Sequence, residues 1–190
     1  MELQAAIAGR RSVRKFTDYY VTDEELKQIL EAGRLSPSWA NTQVWHFVVV
    51  RDPELIKEVT GTYSKVNPAR SGSEKASALI VCCAKMKVSG YSHKGDELAT
   101  KFKEWFMFDL GLAVQNMCLR IHDLGLGTVV VGSMDHDACK KLLLIPEGYD
   151  VVAVLPVGKP LDPDKKGPAK KELKEIVYLD KFGEMYAKIY

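Results

Sequence analysis

The sequence predicts one domain of mixed helices and strands, α/β or α+β, folded around a single central sheet. Three observations predict it. Strand-type runs and helix-type periodicities alternate along the 190 residues. The run Ala78 to Ala84 (ALIVCCA) has little polar alternation, as a strand buried on both faces does. Residues 105–124 carry apolar side chains around nearly the whole helical circumference, which places that helix in the middle of the core.

In chain order, residues 2–9 (ELQAAIAG) form a short amphipathic helix that stops at Gly9, ahead of the cations Arg10, Arg11, Arg14 and Lys15. Thr22 followed three residues later by Glu25 is a capping-box pattern, and Leu26, Ile29 and Leu30 continue a helix to Gly33. Residues 36–43 (SPSWANTQ) read as a loop, and Trp45 to Val50 (WHFVVV) as a strand rich in β-branched and aromatic residues. Asp52-Pro53 opens a polar helix over 53–62, and Ala78 to Ala84 is the second strand. Residues 87–104 are a polar surface excursion that feeds the apolar helix, which Gly125 ends. Gly127 to Gly132 (GTVVVG) is a third strand, Asp135 caps a short helix through Leu144, and Asp150 to Gly158 is a fourth strand. From Lys159 to Lys171 the chain is rich in Pro, Lys and Asp without periodicity, as a surface arm is. Apolar residues return at Ile176, Val177, Tyr178, Phe182, Met185 and Tyr186, so the arm has something to grip, either this subunit or another. No repeat or linker divides the chain, so residues 1–190 form a single domain with an arm over about 159–190.

Composition narrows the function classes. Hydrophobic residues are 46% and charged residues 27%, which sets disorder and low-complexity scaffolds aside. A net charge of +2 is too balanced for a DNA-wrapping protein, so no nucleic-acid partner is expected. The longest stretch free of Asp, Glu, Lys and Arg, Leu35 to Val50, is shorter than a membrane span and contains Ser, Asn, Thr and Gln. The first residues lack a signal-peptide core, and Cys82, Cys83, Cys118 and Cys139 include no C-x-x-C pair. Together these predict a cytoplasmic protein without a membrane partner.

Familiar catalytic signatures fail one by one. Gly125 and Gly127 follow a helix and lack dinucleotide spacing. The pairs Gly90/Gly95 and Gly127/Gly132 have phosphate-loop spacing, yet Asp96 and Ser133 stand where a lysine is required. His46, His93, His122 and His136 form no helical metal pattern, so no metal is expected. There is no G-x-S-x-G elbow. A chain with so little catalytic machinery suits an enzyme whose chemistry belongs to a bound cofactor.

Two segments remain. Arg10, Arg11, Arg14 and Lys15 put four cations within six positions, with Ser12 among them. Guanidinium forks match phosphate oxygens, and Ser12 adds a hydroxyl. A solvated basic face explains the same residues, and a nucleic-acid patch is weakened by the lack of interleaved aromatics. The segment Ser36 to Phe47 combines small, amide and tryptophan residues suited to a planar, hydrogen-bonding heterocycle. An ordinary helix-to-strand loop explains it equally well.

At this separation the two segments resemble the FMN-dependent nitroreductase family, whose pattern is R-R-S-x-R-x-F, then S-P-S-x-x-N-x-Q-P-W-x-F, then G-L-G-x-x-x-x-G and a basic C-terminal arm. All four occur in order between Ala8 and about Gly183, with Val44 where the family has proline. The resemblance implies an α+β nitroreductase-like fold, a mostly antiparallel sheet flanked by helices, in an intertwined homodimer with FMN at the subunit interface. It implies that Arg10, Arg11 and Ser12 hold the phosphate and ribityl chain, and that Arg14 lies near the pyrimidine edge. Pro37, Ser38, Trp39, Asn41 and Gln43 would reach the partner's flavin. Asn67 and Arg70 match an N-x-x-[KR] spacing, and the backbone groups of Val131 and Gly132 would face N5 and O4. Lys170 and Lys171 would clamp the phosphate. No side chain is implied as catalytic. The implied activity is transfer of electrons from NADH or NADPH to a small aromatic, nitroaromatic or quinone acceptor in a ping-pong scheme. The alternatives are a reductive dehalogenase or flavin-processing enzyme of the same fold, and a non-catalytic FMN-binding module.

Overall fold

The computed structural model describes residues 1–92, 97–164 and 166–189. His93, Gly95 and Asp96, and with them one of the two glycine pairs, lie outside the described residues. The sheet is three-stranded and antiparallel, in the order β1 (Trp45–Val50), β2 (Ala78–Lys85), β3 (Tyr149–Val157). The polarity-free ALIVCCA run is its middle strand, and side-chain alternation divides it between two cores. Ala78, Ile80, Cys82 and Ala84 join Trp45, Leu155 and Val157 against helices α2 (Asp23–Arg34) and α5 (Phe106–Asp123). Leu79, Val81 and Cys83 join Val50, Val151 and Val154 on the opposite face, beneath α3 (Pro53–Gly61) and α6 (His136–Leu142). Both faces are covered, which is why the strand lacks polar positions.

Local chemistry sets the helix starts. The Thr22 hydroxyl accepts from Glu25 N while the Glu25 carboxylate accepts from Thr22 N at 2.7 Å, a complete capping box. Asp52 accepts from Leu55 N at 2.8 Å with Pro53 in the first turn, and Asp135 accepts from Ala138 N at 2.9 Å. The short helix α1 (Leu3–Gly9) forms as expected and is followed by the extended basic segment, whereas α4 (Arg70–Ser73) was not anticipated and has no sequence signal of its own.

The expected strand over 127–132 is not a full strand. It touches β3 by isolated bridges at Gly127–Gly158 and Val131–Val154. Both bridges belong to one antiparallel register, in which the next hydrogen-bonding pair is Val129 opposite Pro156. Proline has no N–H to give, so the ladder breaks there. The same segment pairs once in parallel with the basic stretch, at Ser12–Thr128.

Several apolar side chains stay on the surface: Met107 and Phe108 on α5, and Ile176, Leu179, Phe182 and Met185 along the arm. Among the described residues no helix is long and apolar enough to cross a membrane.

Candidate functional site

The extended segment after α1 is held on both sides. Val13 N donates to Thr128 O at 2.8 Å, while Leu161 N donates to Lys15 O at 3.0 Å and Thr17 N to Lys159 O at 2.9 Å. Arg10 to Lys15 therefore lie between the 127–132 segment and the start of the arm. They line a cleft of about 900 Å³ with Thr128, His122 and Lys166. Two close approaches shape it. A Cβ at Gly72 would lie 1.6 Å from Arg14 O, and one at Gly127 would lie 2.6 Å from Val13 Cγ2. Glycine lets the Gly72 backbone meet that of Arg14 and lets the Val13 side chain lie on Gly127.

Arg10, Arg11, Ser12 and Arg14 are thus brought together. Arg11 is partly engaged already, since its Nη1 donates to Ala8 O at 2.5 Å and to Arg10 O at 2.9 Å, capping the end of α1. Burial, followed by the repulsion of Arg10 and Arg11, holds the His122 imidazole below its ordinary value, with Asp123 opposing. The cleft is therefore cationic at its arginines and neutral at its histidine. Thr128 Oγ1 is buried without a hydrogen-bond partner among the described residues. With Arg10, Arg11 and Lys166 in its lining, the cleft fits a phosphate group.

At the far end of the segment the backbone carries the chemistry. Val131 N donates to Val154 O, and Val154 N to Val131 O, both at 2.9 Å. Both backbone groups of Val131, expected to face the flavin, are engaged in this bridge. Gly132 and Ser133 are exposed, and their N–H groups donate to no acceptor among the described residues. Ser133 was missed because an ordinary serine after the glycine carries no sequence signal for a free backbone N–H.

Asn67 and Arg70 support this turn instead of projecting into the cleft. Asn67 Nδ2 donates to Ser133 O at 3.1 Å, its Oδ1 accepts from Ala69 N at 3.0 Å, and Arg70 Nη1 donates to Tyr63 O at 3.3 Å. Pro68 and Ser71, beside them, do line the cleft.

Pro37, Ser38, Trp39, Asn41 and Gln43 do not line it. Their loop is fastened to α5: Trp39 N donates to Asp109 Oδ1 at 3.0 Å, and Asn116 Nδ2 donates to Ser36 Oγ at 2.7 Å. Asp109 is itself buried and takes a second bond from Ser89 Oγ at 2.6 Å. Within the loop Ser38 Oγ accepts from Gln43 N at 2.9 Å, and Ala40, Asn41 and Gln43 have φ of 43°, 56° and 47°. Three non-glycine residues in the left-handed region mark a backbone held against its preference. Lys170 and Lys171 are exposed and likewise lie off the cleft lining, where Lys166 is the arm's cation.

Comparison with known proteins agrees with this geometry. The family model described as the nitroreductase family matches residues 7–80 and 75–159. The chain is 35% identical over 162 residues to a protein of Archaeoglobus fulgidus provisionally named NADH dehydrogenase/NAD(P)H nitroreductase, covering 82% of this chain and 84% of that one. It is 27% identical over 175 residues to an FMN reductase (NADPH) of Bacillus subtilis, covering 85% of this chain and 67% of that protein. The crystal structure of a BluB-like flavoprotein from Clostridium difficile superposes with a TM-score of 0.78 at 28% identity, covering 95% of this chain and 100% of the other. With a family match spanning most of its length, a relative 35% identical over 82% of the chain, and the same fold in solved structures, the chain belongs to the nitroreductase family.

Proposed function

We propose that the chain is an FMN-dependent oxidoreductase that draws electrons from NADH or NADPH and delivers them to a small aromatic, nitroaromatic or quinone acceptor, the two substrates using one site in turn. Bound FMN supplies the hydride and electron transfer that no side chain of the cleft can perform. Arg10, Arg11 and Lys166 neutralise its phosphate, and Ser12 and Thr128 offer hydroxyls to the ribityl chain. Arg14 sets a fixed positive charge near the pyrimidine edge, favouring the form that carries more negative charge. The Gly132 and Ser133 amides donate to the N5 and O4 edge.

The observation that carries this reading is the cationic cleft of about 900 Å³ lined by Arg10, Arg11, Ser12, Arg14 and Lys166; the unpartnered amides of Gly132 and Ser133 lie outside that lining, further along the same segment. The strained Ser38–Gln43 loop lies off this cleft, and the arm ends in exposed apolar residues. Both features support a homodimer in which the loop of one protomer completes the flavin site of its partner. The test is the visible spectrum of purified protein and its titration with FMN, followed by NADH and NADPH oxidation with menadione and a nitroaromatic. Absence of flavin bands together with no FMN uptake would overturn the proposal.

A further inference from the structure

We infer that His136 is a positioning residue that fixes the Gly132–Ser133 amide pair and, through it, the electronics of the flavin. The inference rests on the proposed placement of FMN beside Gly132. His136 opens α6, directly after the cap residue Asp135, so its backbone is fixed by the bond from Ala138 N to Asp135 Oδ1 at 2.9 Å. Its ring spans two backbone carbonyls. Nε2 lies 3.0 Å from Gly132 O and Nδ1 lies 3.0 Å from Val151 O.

The consequence for Ser133 follows from peptide geometry. In a trans peptide the C=O and the next N–H lie in one rigid plane and point in opposite directions within it. A ring that holds Gly132 O therefore sets the direction of the Ser133 N–H. The neighbouring planes are tied as well. Val131 O accepts from Val154 N at 2.9 Å, and Ser133 O accepts from Ser64 N at 3.0 Å and from Asn67 Nδ2 at 3.1 Å. Three successive carbonyls are thus anchored, and among the described residues the middle one has no backbone donor. His136 alone holds it.

The bond also polarises that peptide. A donor on the carbonyl strengthens the N–H on the other side as a donor in turn. With the ring proton on Nε2, His136 donates to Gly132 O and makes Ser133 N–H a better partner for a flavin carbonyl oxygen whose negative charge increases on reduction. The effect is selective for reduced over oxidised FMN, because the oxidised edge carries less charge to be stabilised.

The test measures the dissociation constants of oxidised and reduced FMN for the wild type, His136→Leu and a control, Lys140→Ala. Lys140 lies one helical turn further along α6 and pairs with Asp150 at 3.1 Å, away from the 131–133 carbonyls. We expect His136→Leu to weaken reduced FMN relative to oxidised FMN roughly tenfold, the scale of one hydrogen bond. For a two-electron couple that ratio lowers the midpoint potential by about 30 mV. Lys140→Ala should keep the wild-type ratio. A folded His136→Leu with an unchanged ratio overturns the role of His136 while leaving the flavin site standing. A wild type that takes up no FMN overturns the flavin reading and this inference with it. If the leucine variant does not fold, His136→Asn is read by the same criterion, since its shorter side chain cannot span both carbonyls.

Discussion

Replacing Gly72 by alanine tests whether the cleft is moulded by backbone contact. The new Cβ would lie 1.6 Å from Arg14 O and 2.8 Å from Arg14 C. Ordinary contact begins near 3.4 Å, so about 2 Å must open between two backbones, with no flexible side chain to yield. Arg14 is poorly placed to move, because Val13 is tied to Thr128 and Lys15 to Leu161. The displacement therefore falls on α4, which is anchored by buried Ala69 and Ser73. Overpacking of this kind costs about 1–3 kcal/mol, and alanine's better helix propensity returns at most about 1 kcal/mol. The net loss is roughly 2 kcal/mol, and with a urea dependence of about 2 kcal/mol per molar the midpoint falls by about 1 M. FMN affinity should fall with it, since Arg14 and the neighbouring Ser71 line the cleft. Urea unfolding and an FMN titration provide the measurements, with Gly61→Ala as control. A Cβ at Gly61 meets nothing within 4 Å, so that variant should be unchanged or slightly more stable. A Gly72→Ala protein with wild-type midpoint and wild-type FMN affinity would refute the contact and the shape derived from it.

Asp109→Ala removes the acceptor for Trp39 N and Ser89 Oγ and should cost about 1–3 kcal/mol in chemical denaturation, with a shift in tryptophan emission as the loop detaches. Wild-type stability and emission would mean that the loop is held by other contacts. All four cysteines are buried and their thiols are raised by burial, Cys83 to about 12 and Cys118 and Cys139 to about 11. At pH 8 a thiol reagent should label the native protein slowly and all four sites once urea unfolds it; rapid native labelling contradicts the packing. His122 titrates below its ordinary 6.5 in the folded chain, so between the two values the unfolded chain binds more protons. Stability from this group is present above pH 6.5 and is lost as pH falls through the folded value. His122→Gln should flatten that acid-side decline in melting temperature, and an equally steep decline would assign it to other groups.

What could be read from the residues was whatever local chemistry decides. Thr22 with Glu25, Asp52 with Pro53, and Asp135 announce helix starts because the capping bonds close within three residues. ALIVCCA announces a central strand because its neighbours on both faces are apolar. What could not be read depends on register between distant segments. The break in the 127–132 strand comes from Pro156 standing opposite Val129, and nothing in GTVVVG reveals that partner. The same register engages both backbone groups of Val131, while the Ser133 N–H has no acceptor among the described residues. Asn67 and Arg70 have the spacing of ligand residues, and in the fold Asn67 Nδ2 donates to Ser133 O and Arg70 Nη1 to Tyr63 O, contacts set by distant segments that the spacing does not reveal.

This separates two kinds of residue in the candidate site. Arg10, Arg11, Arg14 and Lys166 supply charge from exposed or half-exposed side chains, where solvent moderates each contribution, so single substitutions there should weaken binding in steps. The amides of Gly132 and Ser133 supply direction, and their aim depends on carbonyls anchored behind them by Val154, His136, Ser64 and Asn67. Direction is lost all at once when one anchor fails, because a rigid peptide plane turns as a unit. A search confined to polar side chains facing the cleft passes over His136, and with it the group on which the Ser133 amide depends.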